Sequence, residues 1–207
     1  MPIVTITRQF GSGGSEVAER VALALGWTLY DNALVDEVAT RLGLSSAEVS
    51  AREERLPSLA ERLASAISLA APEVMPSVSD AAVPPSEERI VEVTQRVIEE
   101  AVQAGPAVLV GRGAHGMLAT RSDALHVFCY APMESLVAYA VTTLGVLPDE
   151  ARKQVDEVNA RREAYVRRHW KREWRDMSNY HLCVNTAWLG LDGAAELITS
   201  VARERFA

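Results

Sequence analysis

The chain has 207 residues, 48% hydrophobic and 24% charged, enough to bury the core of one domain. A composition so close to the globular average excludes disordered, collagen-like and coiled-coil chains. The balance of 21 basic against 28 acidic residues, a net charge of −7, argues against a nucleic-acid partner. Two cysteines, Cys129 and Cys183, are too few for a disulfide scaffold, and each sits in an apolar run, so both read as buried free thiols. The sequence opens on a strand-like run without a signal-peptide pattern, and no apolar run approaches about 18 residues. The expectation is a cytoplasmic protein without a membrane partner.

In chain order, strands are predicted at Ile3–Thr7, Trp27–Tyr30, Ala107–Gly111, Leu125–Tyr130 and Leu182–Asn185. Several are apolar on both faces, as in strands covered on both sides. Helical patterns separate them. Ser45 with Glu48 has the form of a capping box. Ile90, Val93, Val97, Ile98, Ala101 and Val102 make one apolar stripe, stopped by Gly105-Pro106. This β-α alternation with long crossovers predicts a parallel sheet flanked by helices.

Two segments interrupt the rhythm. Residues 64–86 contain four prolines and two charged residues and read as a loop within a helical insert. Residues 151–175 contain nine Arg or Lys against four Asp or Glu, a local charge of +5 on a protein otherwise at −12. Such an island suits a local anionic ligand, and equally a solvated helix face. The Ala/Leu stripe of 59–71 reads as core or as the contact face of a homodimer.

The first strand runs into Arg8-Gln9-Phe10-Gly11-Ser12-Gly13-Gly14-Ser15-Glu16 and then an apolar-periodic helix. A glycine-rich turn between first strand and first helix is where parallel α/β folds hold phosphate, through converging N–H groups and the helix dipole. Against the pattern G-x-x-x-x-G-K-[ST], Gly13 takes the second glycine and Ser15 the hydroxyl on the metal side. Arg8 replaces the first glycine, and Gly14 stands where the lysine belongs. Position 14 is expected to need the positive φ that glycine allows. The second strand ends in Asp31 and the third in Gly111-Arg112-Gly113, placing a carboxylate and a guanidinium at the same sheet edge.

Taken in order, ITRQFGSGG, LGWTLYDNALV, RIVEVTQRVI, AVLVGRGAHGML, LHVFCYAP, RREAYVRR and YHLCVNT make a chain that resembles the cytidylate kinase-like family of P-loop nucleoside monophosphate kinases. The resemblance implies an α/β P-loop fold with a five-stranded parallel sheet, a helical monophosphate-binding insert at about 32–104 and a basic lid at about 145–176. It implies transfer of the ATP γ-phosphate to a nucleoside monophosphate, CMP or dCMP first, with Mg²⁺ bridging the phosphates. Gly11, Ser12, Gly13, Gly14 and Ser15 would cradle ATP, with Ser15 nearest the metal and Asn185 near the adenine. Asp31 and Arg112 would line the acceptor site. Arg161, Arg162, Arg167 and Arg168 would be lid arginines, one of each adjacent pair facing inward.

The chain departs from that family pattern at four places. Gly14 removes the loop lysine, Gly113 replaces an aspartate, Leu136 occupies a stretch that usually presents arginines, and Asn159 replaces an acid. These leave open two alternatives: a P-loop kinase of a non-nucleotide small molecule, and a nucleotide-binding protein without catalysis. The four histidines show no metal-ligand spacing, so no structural zinc is expected. Trp170 and Trp174, at i and i+4, read as packing of the lid onto the core.

Overall fold

The computed structural model describes residues 1–45 and 87–207 (backbone only for 32–35). The predicted capping glutamate, the 59–71 stripe and the 64–86 segment all lie outside them. Five strands form one sheet: β1 (Ile3–Arg8), β2 (Thr28–Tyr30), β3 (Ala107–Val110), β4 (Ala124–Tyr130) and β5 (Leu182–Asn185). All neighbours are parallel in the order β2-β3-β1-β4-β5, with Ile3 of β1 aligned on both Ala107 and Ala124. The predicted strands match these within one residue. β1 lies at the centre because Ile3, Val4 and Ile6 have no polar side to expose; each is fully buried.

The helices are α1 (Gly14–Leu25), α2 (Asn32–Leu42), α3 (Glu87–Ala104), a single turn α4 (Ala114–Met117), α5 (Met133–Thr142), α6 (Pro148–Trp170) and α7 (Thr186–Phe206). Alternation along β1 sends Val4 and Ile6 to one face, where they meet Val17 and Val21 of α1 and Ala194 and Ile198 of α7. Ile3 faces the other side, against Val38 of α2 and the predicted stripe of α3. α7 is interrupted at Gly190 (φ 72°, ψ 166°), which leaves Trp188 82% exposed.

Farther along that second face, Thr5 and Thr7 are buried beside two histidines. Thr5 Oγ1 shares a 2.8 Å hydrogen bond with His126 Nδ1, and Thr7 Oγ1 a 3.1 Å bond with His115 Nδ1. Burial, helped by the charge of His126 on His115 and of His181 on His126, holds both imidazoles neutral, His115 down at about 3 and His126 at about 4. Tyr180 closes this region by donating to the Trp174 carbonyl at 2.7 Å, and Trp174 meets Phe128 edge to face. Trp174 is thus core, as its spacing predicts. Cys129 is fully buried, and desolvation pushes its thiol up to about 12; Cys183 is only partly covered.

Candidate active site

In this topology β1 sends its crossover toward β2 on one side, while β3 crosses back to β4 on the other. The crevice beyond the carboxyl ends of such strands is where open α/β sheets bind ligands. The phosphate loop, Asp31 and Arg112 all emerge there.

The loop is built by specific bonds. Gln9 N–H donates to the Cys129 carbonyl at 3.0 Å, and Gln9 Oε1 accepts from Ala131 N–H at 3.1 Å. Ser12 turns inward, its N–H and hydroxyl both donating to the Gln9 carbonyl, at 3.2 and 2.8 Å. Ser12 therefore closes the turn, and its groups are not presented to a ligand. Gly13 caps α1 in the left-handed conformation (φ 68°), where glycine carries no Cβ penalty. The first-turn N–H groups of α1 have no intrahelical acceptor.

Gly14 corrects the expectation of a positive φ, because it already has helical backbone. Its constraint is close approach. A Cβ there would stand 2.5 Å from Arg8 Cβ and 3.0 Å from Arg8 Cγ. Leu136 is buried, and its carbonyl lies against Gly11, so α5 braces the loop with backbone. Tyr139 donates to the Glu16 carboxylate across the mouth of the loop, and burial and that bond raise its phenol well above the usual range. Leu191, just past the Gly190 interruption, covers Gly13.

Asn159 has a role its sequence position does not announce. Buried on α6, it accepts the Phe10 N–H at 2.8 Å and ties that helix to the loop. Asn159→Ala leaves that donor unpartnered and should cost about 1–3 kcal/mol of stability. Chemical denaturation measures it, and an unchanged unfolding free energy would show that the bond is dispensable.

Two neighbouring clefts share this edge. One is lined by loop residues 8–11 and 13–15 with Tyr139 and Arg162. The other is lined by Thr7, Arg8, Arg112, His115, Arg162, Tyr165 and others. Arg8 and Arg162 belong to both. Arg162 Nη1 donates to the Arg8 carbonyl at 2.9 Å, and Arg8 pairs with Asp31 at 3.7 Å. Asp31 makes no side-chain cap to α2, and its carboxylate lies beside Arg8 and near enough to Arg112 to act on its charge. Arg112 sits in the left-handed region (φ 52°), and desolvation with the nearby Arg8 charge lowers its guanidinium to about 10. A site that depresses the Arg112 guanidinium is one that an anion would relieve.

The remaining predicted residues fall elsewhere. Arg161 is partly buried, its Nε without a hydrogen-bond partner. Arg167 pairs with Glu163 and Glu173, and Arg168 chelates Glu87 at the start of α3; neither lines a cleft. Asn185 Oδ1 caps α7 by accepting from Ala187 and Trp188 N–H. Sequence reasoning missed Asn159, Gln9 and Tyr165 as site residues, and treated Arg8 only as a lost glycine.

Gly113 is explained by Trp170. The indole lies over Gly113 and Gly116, its Cη2 2.5 Å from where a Gly113 Cβ would stand. Gly113→Asp should therefore cost about 3 kcal/mol through overpacking, read as a lowered Tm. The overpacking part of the cost should vanish in a Trp170→Ala background, leaving the part due to the left-handed backbone at Gly113 (φ 67°), and an equal cost in both backgrounds would refute the contact.

A parallel sheet in this order, with a glycine loop after β1 and arginines at the same edge, defines a P-loop kinase fold. The family model described as "cytidylate kinase-like family" matches residues 3–187, and the chain belongs to that family. No curated protein matches by sequence. Among solved structures, an uncharacterized protein from Eubacterium ventriosum is similar at 19% identity and TM-score 0.70, covering 98% of this chain and 99% of that one. Shikimate kinase from Acinetobacter baumannii, solved with shikimate, aligns at 13% identity and TM-score 0.54, covering 100% and 96%. Shikimate kinase from Bacteroides thetaiotaomicron aligns at 12% and 0.56, covering 98% of each chain. At these identities the likeness is one of fold.

Proposed function

We propose that this chain transfers the γ-phosphoryl group of ATP to a nucleoside monophosphate, CMP or dCMP first. The observation that carries the reading is the pair of contiguous clefts sharing Arg8 and Arg162, with the phosphate loop in one and Arg112 in the other. The N–H groups of Gly11, Gly13, Gly14 and Ser15, with the α1 dipole, hold the donor phosphates, while Ser12 closes the turn. Arg112 takes the acceptor's phosphate, and Asp31 orients Arg8 and the acceptor. Arg162 bridges the two phosphate sites and is the inward member of its pair, with Arg161 beside it. Arg167 and Arg168 hold the end of α6 through their acids and touch no phosphate. Asn185 keeps the start of α7 in place beside the base.

The donor set suits Mg²⁺ carried in with ATP: a hard hydroxyl oxygen, Ser15, lines the loop cleft, and this ion usually takes few protein ligands beside substrate phosphates. When bound, it neutralises phosphate charge. Among the described residues no helix is long and apolar enough to cross a membrane.

A second reading, a small non-nucleotide hydroxyl acceptor, is favoured by one observation. Trp170 fills the space over Gly113, and the Arg112 cleft encloses only about 60 Å³, room for about four to six waters. A nucleotide would have to displace the C-terminal end of α6. A coupled ADP-release assay over all nucleoside monophosphates, with Mg²⁺, separates the readings. The proposal expects release that depends on CMP or dCMP. ATP binding without release under any monophosphate would favour the small-acceptor or the non-catalytic reading.

A further inference from the structure

The loop lacks a lysine at position 14, yet a cation occupies the space beside that position. Arg8, the last residue of β1, lays its Cβ and Cγ against Gly14, 2.5 and 3.0 Å from where a side chain there would begin. Its guanidinium continues over Gly111, with Nη1 filling the position of that glycine's missing Cβ. Two glycines, one at the start of α1 and one after β3, thus form the bed of a single arginine. Two further contacts fix it. Asp31 faces one Nη at 3.7 Å, and Arg162 holds the Arg8 carbonyl at 2.9 Å. The side chain is mostly covered and borders both clefts.

We propose that Arg8 is a catalytic cation that takes over the charge of the missing loop lysine, so that arginine at 8 with glycine at 14 replaces glycine at 8 with lysine at 14. The inference rests on the phosphotransferase reading and adds to it the residue that faces the transferring group. In that transfer the bond from Pγ to the bridging oxygen of ADP breaks, its electron pair leaving on ADP. A new bond forms to Pγ from an unprotonated phosphate oxygen of the acceptor. Charge grows on the bridging oxygen and spreads over the equatorial oxygens between the two clefts, where a planar guanidinium can meet two oxygens at once. The arrangement also predicts that a lysine restored at 14 is harmful, because it meets the Arg8 stem and not open space.

The test compares the parent with Arg8→Ala, Arg8→Lys, Gly14→Lys and the double variant Arg8→Gly/Gly14→Lys. The readouts are Tm, calorimetric affinity for MgATP, and kcat and KM with the best monophosphate acceptor. Arg8→Ala should lower kcat about 10³-fold while MgATP affinity changes less than about tenfold. Gly14→Lys alone should lower Tm, and the double variant should recover Tm and exceed the kcat of Arg8→Ala at least about tenfold. Should Arg8→Ala fail to fold, Arg8→Lys and the double variant carry the same comparison. A parent-like kcat in Arg8→Ala, or a double variant no better than either single, overturns the proposal while leaving the phosphotransferase reading standing. A parent that binds MgATP but transfers to no acceptor overturns that reading, and this inference with it.

Discussion

Replacing Arg162 by alanine is expected to lower kcat about 10³-fold while weakening MgATP binding far less, the signature of an arginine used chiefly at the transition state. Arg162 reaches from α6 to the Arg8 carbonyl and borders both clefts, so on the proposed reading its charge lies where donor and acceptor phosphates would meet. Its removal also frees the end of β1 from α6. Single-turnover rates and equilibrium affinities on the same protein separate the two effects, and equal losses in both would make Arg162 a plain binding residue. Arg167→Ala is the internal contrast. Arg167 is 57% exposed and paired with two surface acids, so its loss should leave kcat nearly unchanged.

Acidification is expected to destabilise the fold well before the carboxylates titrate. His115 and His126 are buried neutral, at about 3 and about 4, whereas an unfolded histidine titrates near 6.5. Between those values the unfolded chain binds protons that the folded chain refuses, so stability falls as pH drops through this window. The stability is fully present above pH 6.5, and with each pKa unit worth about 1.4 kcal/mol the combined loss by pH 4 amounts to several kcal/mol. His115→Gln should flatten the slope between pH 6.5 and 4, as measured by urea unfolding at several pH values. An unchanged slope would mean that His115 is protonated in the native state.

What the sequence made legible was hydrophobic pattern. β1, β3 and β4 were readable because apolar residues on both faces of a strand suit a sheet covered on both sides, and Gly105-Pro106 marks the end of α3. Strand ends shifted by a residue, as at Arg8, because pairing with Cys129 continues the ladder into a charged residue. The loop's place between β1 and α1 was equally plain. The roles of individual side chains were not. Gly14 is set by the stem of Arg8, Gly113 by the indole of Trp170, and Asn159 by an amide about 150 positions earlier in sequence; these are contacts between distant segments. Arg161-Arg162 and Arg167-Arg168 look alike in a mostly polar helix. Glu163, four residues before Arg167, was the one local sign that the second pair serves ion pairs.

The central claim is that one edge of the sheet carries a phosphoryl group from ATP to a monophosphate. The most direct measurement is single-turnover transfer of the labelled γ-phosphoryl group from MgATP, with CMP present and the products separated. The account predicts label in CDP for the parent and, on the same timescale, almost none for Arg162→Ala. Label that stays in ATP, or appears only as inorganic phosphate, would contradict it.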